Sequence, residues 1–492
     1  MLHELSPQVP DPTPAAHAAD DPDRFPSAVG SDLMQSFALA VIGSGSGHVV
    51  IPDADDGRTI AVIEMGAFGG TCINHGCIPS KMFGYTADLA MQVRRAPAFG
   101  LGTELESVDW PAIRDRIMTR VDETSEAGRK KQVDSPQVTV FDGRARFTGP
   151  HQLEIDGSTP IQADQIVIAT GSRPFVPSVV AESGVPFHTS DTIMRLESLP
   201  ASMVILGGGS VAMEFAHIFS SFGVEIHVVD MASRLMETLD DELSNRFTSE
   251  VAERWDAHLD ATVDRVESDG AGVSLVLDDG TRVTGDLLLV ATGRRPTTED
   301  LGLDAADVSV REDGHLVVDE FGRAGPGIWG LGDVSSPFEL KHVANAEART
   351  IAHNLATPQD LRPLPHDWVP SALFSDPQVA SVGARSQDLK GREYVQATQH
   401  FGDTAYGWAL QDQRGICRLY ADPTTGRLLG AHILGHQAAL LITPLIQAVA
   451  HGQRVADLAR GQYWIHPALS EVVENALLKL PLDRRVRSGQ AH

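Results

Sequence analysis

The sequence predicts an α/β chain in which one strand–loop–strand unit occurs twice and a separate α+β unit follows. Two runs typical of buried strands end in glycine-rich turns, FALAVIGSGSG from Phe37 and MVILGGGSVAMEF from Met203. Each copy has a later strand ending in Ala-Thr-Gly, within IVIATGSRP from Ile166 and LLVATGRRP from Leu288. After about residue 365 these motifs stop, and short strands are followed by helices. The repetition predicts two Rossmann-like dinucleotide-binding folds.

These patterns divide the chain into five ranges. Residues 1–35 are rich in Pro, Ala and Asp and lack an apolar period, so we expect a disordered extension, with Met34 as a second candidate start of translation. The first Rossmann-like unit is expected in 36–170 and is completed by 295–365; the second occupies 171–294, and the α+β unit occupies 366–486.

Composition and charge exclude several classes of function. The 492 residues carry a formal net charge of −27, which disfavours nucleic-acid and anionic-membrane surfaces, because both require clustered Lys and Arg. No run reaches the roughly 18 apolar residues of a spanning helix, and the N-terminus lacks the pattern of a signal peptide. We therefore expect a cytoplasmic protein without nucleic-acid or membrane partners.

The second glycine loop predicts a nicotinamide dinucleotide site. Gly207, Gly209 and Ala212 match the pattern G-x-G-x-x-A, in which close approach of the backbone lets N–H groups bind a pyrophosphate. Asp230 ends the next strand, where an acid favours the free 2′-hydroxyl of NADH. Arg234 lies close by and is a candidate partner for the 2′-phosphate of NADPH, so the choice between NADH and NADPH stays open with NADH favoured.

The first loop is less regular. Gly43, Gly45 and Gly47 precede His48, and the residues after them make a poor helix. Glu64, which ends the following strand, is placed to bind an adenosine ribose. Gly332 and Asp333, in the later GLGD, end another strand, where a carboxylate can bind the ribityl hydroxyls of a flavin. Together these residues indicate a second dinucleotide site.

Two of the three cysteines, Cys72 and Cys77, lie in GGTCINHGCIPSK. Five residues of helix rise about 7.5 Å, whereas bridged Cα atoms lie about 4.4 to 6.8 Å apart, so a helix must be distorted or must begin between them. Two buried free thiols without a redox role are one alternative. A metal site is the other, but His75 alone does not complete its set of ligands, so no metal is predicted. A reducible redox pair is favoured. Cys417 alternates with apolar neighbours and is expected in a buried strand.

This cysteine motif resembles that of the flavoprotein pyridine nucleotide-disulfide oxidoreductases, and the resemblance runs from about Phe37 to Leu480. Segments such as CIPSKMFGYTADLA, TSDTIMR and RGQYWIHPALSEVVENALL are most similar to mycothione reductases. The resemblance implies reduction of mycothione to mycothiol by NAD(P)H, with an FAD-binding domain, an NAD(P)-binding domain and a C-terminal dimerisation domain. Dihydrolipoamide dehydrogenase is the alternative, and a nucleotide-binding flavoprotein sensor without disulfide turnover is an alternative of another class.

The resemblance also implies roles for individual residues. Cys77 becomes the thiolate beside the flavin, Cys72 attacks the substrate disulfide, and Lys81, paired with Glu214, stabilises negative charge at the flavin. His466, oriented by Glu471, is the acid–base group and acts in the active site of the other subunit of a homodimer, with Pro467 in the first turn of a following helix. The resemblance implies four further cofactor-binding residues: Gly70, Thr71, Gly171 and Gly293. Ser210 stands where many relatives have an aromatic residue that shields the flavin.

Overall fold

The computed structural model describes residues 34–482 apart from 53–55, 269 and 271. Residues 1–33 of the predicted disordered extension lie outside this range, and the first strand already begins at Gln35. The first unit has a mixed eight-stranded sheet. Its early strands are β1 (Gln35–Ile42), β2 (Ile60–Glu64), β3 (Val138–Asp142), β4 (Ala145–Gly149), β5 (Gln152–Ile155) and β6 (Thr159–Ile168). β1 pairs in parallel with both β2 and β6, and β3 extends the sheet beyond β2.

Helices flank this sheet and carry the cysteine motif. They are α1 (Gly70–Asn74), α2 (Cys77–Arg95) and α3 (Trp110–Val133). α3 begins with Trp110 and Pro111 after the N-cap Asp109, whose side chain accepts a hydrogen bond from the Ala112 N–H at 3.0 Å. A short strand and helix, β7 (Ser172–Pro174) and α4 (Ser178–Ala181), lead into the second unit.

The second unit is a four-stranded parallel sheet with an antiparallel three-stranded sheet beside it. Its elements are β8 (Ser202–Leu206), α5 (Ser210–Ser221), β9 (Glu225–Val229), α6 (Asp241–Val251), β10 (Asp256–His258), β11 (Val263–Ser268), β12 (Val273–Leu277), β13 (Arg282–Gly285) and β14 (Leu287–Val290). α5 comes directly after the glycine loop and buries its apolar face. β15 (Arg294–Pro296) then pairs with β7 and returns the chain to the first unit.

The two glycine loops obey the same steric rule. Gly43 has φ +102°, and a Cβ atom there would lie 2.4 Å from the carbonyl oxygen of Ala169. Gly207 has φ +120°, and its Cβ would lie 2.3 Å from the carbonyl oxygen of Ala291. Both alanines belong to the repeated Ala-Thr-Gly strand ends, so each strand end packs against its own glycine loop. The repeat in the sequence is therefore a repeat in three dimensions.

The first unit lacks a long helix directly after its glycine loop. Only a 3₁₀ helix, Ser46–Val50, stands where α5 stands in the second unit. A later part of the chain supplies the missing helix, with β16 (Arg323–Gly325), β17 (Ile328–Gly330) and α7 (Lys341–Ala356). β17 joins β6 in parallel, and Ala348 and Ile351 of α7 share one core with Val41 and Val50. The poor helical pattern after Gly47 thus has a structural reason.

In the described part of the chain, the C-terminal unit is a five-stranded antiparallel sheet with one helix before its fourth strand and four helices after its last strand. Its strands are β18 (Ser371–Leu373), β19 (Val379–Gly383), β20 (Val395–His400), β21 (Ile416–Ala421) and β22 (Leu428–Leu434). Its helices are α8 (Ala405–Leu410), α9 (Ala438–Leu441), α10 (Thr443–Ala450), α11 (Val455–Arg460) and α12 (Glu471–Lys479). Cys417 is fully buried in β21, as predicted, and burial raises the pKa of its thiol. The predicted fold class is confirmed, and within the described ranges no helix has the length and apolarity to cross a bilayer.

Candidate active site

Two neighbouring cavities, each of about 540 Å³, lie above the two glycine loops. The first is lined by the first glycine loop, the cysteine motif, the first Ala-Thr-Gly strand end and GLGD. The second is lined by the second glycine loop, the second Ala-Thr-Gly strand end and Asp230. The cavities meet at five residues that line both: Ser190, Ser210, Val211, Arg294 and Glu339. Ligands bound in the two cavities would therefore come into contact at this junction.

The cysteine pair lies across a break between two helices. α1, which contains Cys72, ends at Asn74 and α2 begins at Cys77, so the helical structure is interrupted between the two cysteines, as a bridge between them requires. Both are free thiols in this structure, and the Cys72 thiol hydrogen-bonds to the sulfur of Cys77. This hydrogen bond, aided by the Lys81 ammonium and opposed by burial, lowers the pKa of Cys77 to about 7. The same bond and burial raise the pKa of Cys72. Cys77 is therefore the member of the pair that ionises first.

Lys81 and Glu214 form the predicted ion pair. Lys81 lies one turn after Cys77 in α2, and its Nζ lies 2.7 and 2.6 Å from the two carboxylate oxygens of Glu214 in α5. The Glu214 side chain is 14% exposed and also accepts the Phe374 N–H at 3.1 Å. The Lys81 ammonium lies 4.7 Å from the centre of the Phe374 ring. Three segments of the chain thus fix a cation beside Cys77.

Glu64 closes one end of the first cavity. Its Oε2 accepts the Ser44 N–H at 2.8 Å and the Ser44 hydroxyl at 2.7 Å, and its Oε1 accepts the Gly66 N–H at 2.8 Å. The carboxylate is therefore held at the glycine loop, where the sequence places a ribose-binding acid. Gly45 lines the cavity and faces Gly70, where an added Cβ would lie 2.9 Å from the Gly45 Cα.

Asp333 lies at the other side of this cavity. Its Oδ2 accepts the Ser172 hydroxyl at 2.7 Å, and the Ser172 oxygen accepts the Arg294 Nε–H at 2.7 Å. The N–H of Gly332 donates at 2.7 Å to Glu347, a fully buried carboxylate whose other oxygen lies 2.6 Å from Nε2 of His366. The Ser172–Arg294 contact joins residues 122 positions apart, and the sequence motifs indicated neither this contact nor the Glu347–His366 contact.

Most of the predicted cofactor residues line a cavity, but two do not. Thr71, Gly171 and Gly332 line the first cavity, and Gly207, Gly209 and Gly293 line the second. Gly47 and Ala212 are buried behind the loops instead. A Cβ on Gly47 would lie 2.8 Å from Val41 and 2.9 Å from Ala169, so this glycine lets the loop pack on the sheet. These two positions support the loops without forming the cavity walls.

The acid in the second cavity is oriented by its own turn. Asp230 Oδ1 accepts the Ala232 N–H at 2.7 Å, and a Cβ on Gly208 would lie 3.0 Å from Asp230 Oδ2. Asp230 therefore lies directly against the glycine loop. Arg234 points elsewhere: its guanidinium is 2.5 Å from Asp241, and it does not line the cavity. The candidate 2′-phosphate partner is thus already paired.

His466 and Glu471 form the predicted pair, with Nδ1 and Oε1 2.7 Å apart. The His466 side chain is 72% exposed, and it lines neither of the two cavities of its own chain. The expectation for Pro467 was wrong, because α12 begins at Glu471, four residues later. Glu471 is itself the first helical residue, and residues 466–470 form turns before it.

Comparison with known proteins assigns the chain to a family. The family model described as pyridine nucleotide-disulphide oxidoreductase matches residues 37–349, and the model of that family's dimerisation domain matches residues 369–477. The chain belongs to this family.

Relatives within the pyridine nucleotide-disulphide oxidoreductase family cover almost the whole chain. It is 44% identical to mycothione reductase from Mycobacterium tuberculosis over 91% of this chain and 100% of that protein. It is 32% identical to dihydrolipoyl dehydrogenase from Chlamydia muridarum over 91% of this chain and 97% of that protein. The structure also aligns with a solved structure, the Cu(II) complex of the HOCl-induced flavoprotein disulfide reductase RclA from Escherichia coli. The TM-score is 0.80 at 25% sequence identity, and the alignment covers 90% of this chain and 99% of that chain.

As a member of the pyridine nucleotide-disulphide oxidoreductases, the chain is an NAD(P)H-dependent flavoprotein disulfide reductase that uses FAD and NAD(P)H. The residues fit these cofactors. The first cavity combines a glycine loop, an acid at each side and a cysteine pair, and the second combines a glycine loop with Asp230. The Cβ atoms that glycines lack at Gly43 and Gly207 would collide with the strand ends that form the cavity floors.

Sequence motifs missed a second lysine in the first cavity. Lys341 lines the wall with Cys72 and Cys77, and its Nζ donates to the Ser46 hydroxyl at 3.0 Å. Lys341 lies only a few residues after GLGD, but nothing in that spacing indicates that its side chain points toward the cysteines.

Proposed function

We propose that this enzyme reduces mycothione, the disulfide of mycothiol, with NADH through a redox disulfide between Cys72 and Cys77. The observation that carries the proposal is the cysteine pair in the first cavity, in which the Cys77 thiol has a lowered pKa and lies beside an ion-paired lysine. The choice of substrate is supported by the 44% identity to a mycothione reductase along all of that relative.

The residues of the chain divide the chemistry between them. Gly43, Glu64 and Asp333 would hold FAD in the first cavity, where it would supply the two-electron chemistry that links the nicotinamide to the Cys72–Cys77 disulfide. Cys77 keeps the negative charge as a thiolate, because its pKa of about 7 is the lower of the two. Cys72, once deprotonated, attacks one sulfur of the substrate disulfide, and the first thiol leaves with a proton. The Cys77 thiolate then attacks the Cys72 sulfur, which restores the intramolecular disulfide and releases the second half of the substrate as a thiolate that takes a proton from solvent.

The proton for the leaving thiol comes from His466 of a second copy of the chain. Three observations support this part of the proposal: the imidazole is bonded to Glu471, it is largely exposed, and it lines neither cavity of its own chain. Tyr463 and Ile465 nearby are exposed apolar side chains, in a region that matches the family's dimerisation domain. We therefore infer a homodimer whose two active sites each use residues of both subunits.

A direct assay tests the substrate. Purified enzyme with NADH is offered mycothiol disulfide, glutathione disulfide or lipoamide at equal concentrations, and NADH oxidation is followed at 340 nm. We expect the highest kcat/KM with mycothiol disulfide and its loss in Cys72→Ser, which keeps both cavities. Turnover of the disulfide that persists in Cys72→Ser would contradict the cysteine mechanism. A higher kcat/KM with lipoamide would instead support the dihydrolipoamide dehydrogenase function, which the 32% identical relative favours.

Subunit mixing tests the shared site. Cys72→Ser and His466→Gln homodimers are each expected to be inactive. After random exchange of equal amounts, half the dimers are mixed, and each mixed dimer has one site with an intact cysteine pair and an intact histidine. About a quarter of the wild-type activity should therefore return. No recovery, with exchange verified by native mass spectrometry, would show that both residues act within one chain.

A further inference from the structure

The position of Lys341 in the structure is unfavourable for a positively charged side chain. It is the first residue of the 16-residue helix α7, where the helix dipole presents positive charge. Its side chain is half-buried in the wall of the first cavity, and burial lowers the pKa of the ammonium. Both effects disfavour a cation at this place, so a compensating anion is expected nearby.

No carboxylate of the described residues lies within ion-pair distance of Lys341, in contrast to Lys81, which is neutralised by Glu214. The hydrogen-bond partner of Lys341 is neutral: its Nζ donates to Ser46 Oγ at 3.0 Å, and Ser46 donates to Asn345 Oδ1 at 3.0 Å. Ser46 belongs to the glycine loop, so this chain of hydrogen bonds holds the ammonium at the cavity wall. The cavity is where its counter-charge must arise.

The cysteine pair supplies a suitable anion. The Lys341 ammonium lowers the pKa of both Cys72 and Cys77. Burial lowers the pKa of Lys341, whereas the two thiols, followed by the more weakly acting carboxylate of Asp333, raise it. Lys81 also acts on Cys77, and further charged or titratable groups line this cavity, among them His75, Asp191, Glu214, Arg294, Asp333 and Glu339. Of the two lysines, Lys341 is the one without a carboxylate partner.

We propose that Lys341 is the charge-compensating residue of the reduced enzyme, which stabilises the thiolate that forms when the cysteine disulfide is opened. Lys81 also lowers the pKa of Cys77, but its charge is shared with Glu214, whereas Lys341 adds a positive charge without an ion-paired carboxylate among the described residues. The inference rests on the proposed function in taking Cys72 and Cys77 as the redox pair, but it does not depend on the identity of the disulfide substrate.

The test measures the ionisation of the thiols and not turnover. Holoenzyme is reduced, and the rate at which iodoacetamide alkylates each cysteine is followed by mass spectrometry between pH 5 and 10. In Lys341→Met the pH midpoint of Cys77 should rise by about one unit, which makes alkylation about tenfold slower at pH 6. Lys341→Gln removes the charge but retains a donor for Ser46, and the same rise is expected. Lys341→Arg should keep the wild-type midpoint.

Lys130→Met is the matched control, because Lys130 pairs with Asp134 on the exposed surface of α3 and its loss should leave the midpoint unchanged. An unchanged midpoint in Lys341→Met overturns the proposal. A rise in Lys341→Met but not in Lys341→Gln assigns the effect to the hydrogen bond and also overturns it. Loss of flavin with an unchanged midpoint would assign Lys341 to the phosphates of the cofactor. The proposed function would fail by a different result, since disulfide reduction that persists in Cys72→Ser contradicts it without any change in the alkylation midpoint.

Discussion

Replacement of Asp230 should reverse the preference for the nicotinamide cofactor. Oδ1 of this carboxylate is occupied by the Ala232 N–H at 2.7 Å, which leaves Oδ2, against Gly208, to bind the ribose of NADH. A hydrogen bond to a charged group contributes about 1.5 to 3 kcal/mol, so Asp230→Ala should raise the KM for NADH by about 10- to 150-fold. The carboxylate should equally repel the 2′-phosphate of NADPH in the wild-type enzyme.

The size of that repulsion comes from Coulomb's law. Two unit charges about 4 Å apart at an effective dielectric constant of about 20 repel by about 4 kcal/mol. Even when solvent screens about two-thirds of this energy, the wild-type enzyme should favour NADH about tenfold. The double variant Asp230→Ala/Met231→Arg adds a guanidinium for the phosphate and should favour NADPH.

Initial rates with NADH and NADPH, measured with ferricyanide as the acceptor, make this comparison independent of the disulfide substrate. Arg234→Gln is the control, because Arg234 is paired with Asp241 outside the cavity, and its ratio of kcat/KM values should equal that of the wild type. A wild-type preference for NADPH that Arg234→Gln abolishes would refute the reasoning.

Two further changes have defined outcomes. Ser210→Phe places an aromatic ring where the two cavities meet. Moving this ring aside costs about 1 kcal/mol, so the KM for NADH should rise about fivefold, whereas Ser210→Ala should leave it unchanged. Equal KM values for both variants would mean that the nicotinamide does not pass this junction. Asp376 is 15% exposed and contacts three arginines, and although burial raises its pKa, these arginines lower it overall. The Asp376 carboxylate therefore stabilises the folded protein above the pKa that it has in the unfolded chain, and this stabilisation is lost as pH falls through the lower folded pKa. Asp376→Asn should lower the free energy of unfolding in urea by about 3 kcal/mol at pH 7 and by less below pH 4. An equal loss at both pH values would contradict this account.

The sequence predicts local features of this fold well because their causes are local. The helix break between Cys72 and Cys77 arises from the residues within the cysteine motif. The two glycine loops were also predicted, although the atoms that exclude a Cβ at Gly43 and Gly207 belong to Ala169 and Ala291, far along the chain. The pairing of Lys81 with Glu214 came from the family resemblance, since the two residues are 133 positions apart and no local pattern links them.

Other features depend on tertiary structure that no motif records. The hydrogen bond between Lys341 and Ser46 joins the first glycine loop to α7, a helix that follows the whole second unit in the sequence. The start of α12 at Glu471 was missed because proline after His466 suits a first helical turn, yet the chain forms turns there. The His466 side chain is exposed and lies outside both cavities of its own chain, so no local pattern indicates the site in which it acts.

The late arrival of α7 imposes an order on folding during synthesis. Ser46 and its partner Asn345 are 299 residues apart, and Val41 and Val50 share their core with Ile351. At about 5 to 20 residues per second, the ribosome needs about 15 to 60 s to bridge that interval. Throughout this time one apolar face of the first sheet stays uncovered, whereas β8 to β14 form a contiguous segment that can fold earlier. The nascent chain should therefore depend on chaperones most strongly before α7 emerges.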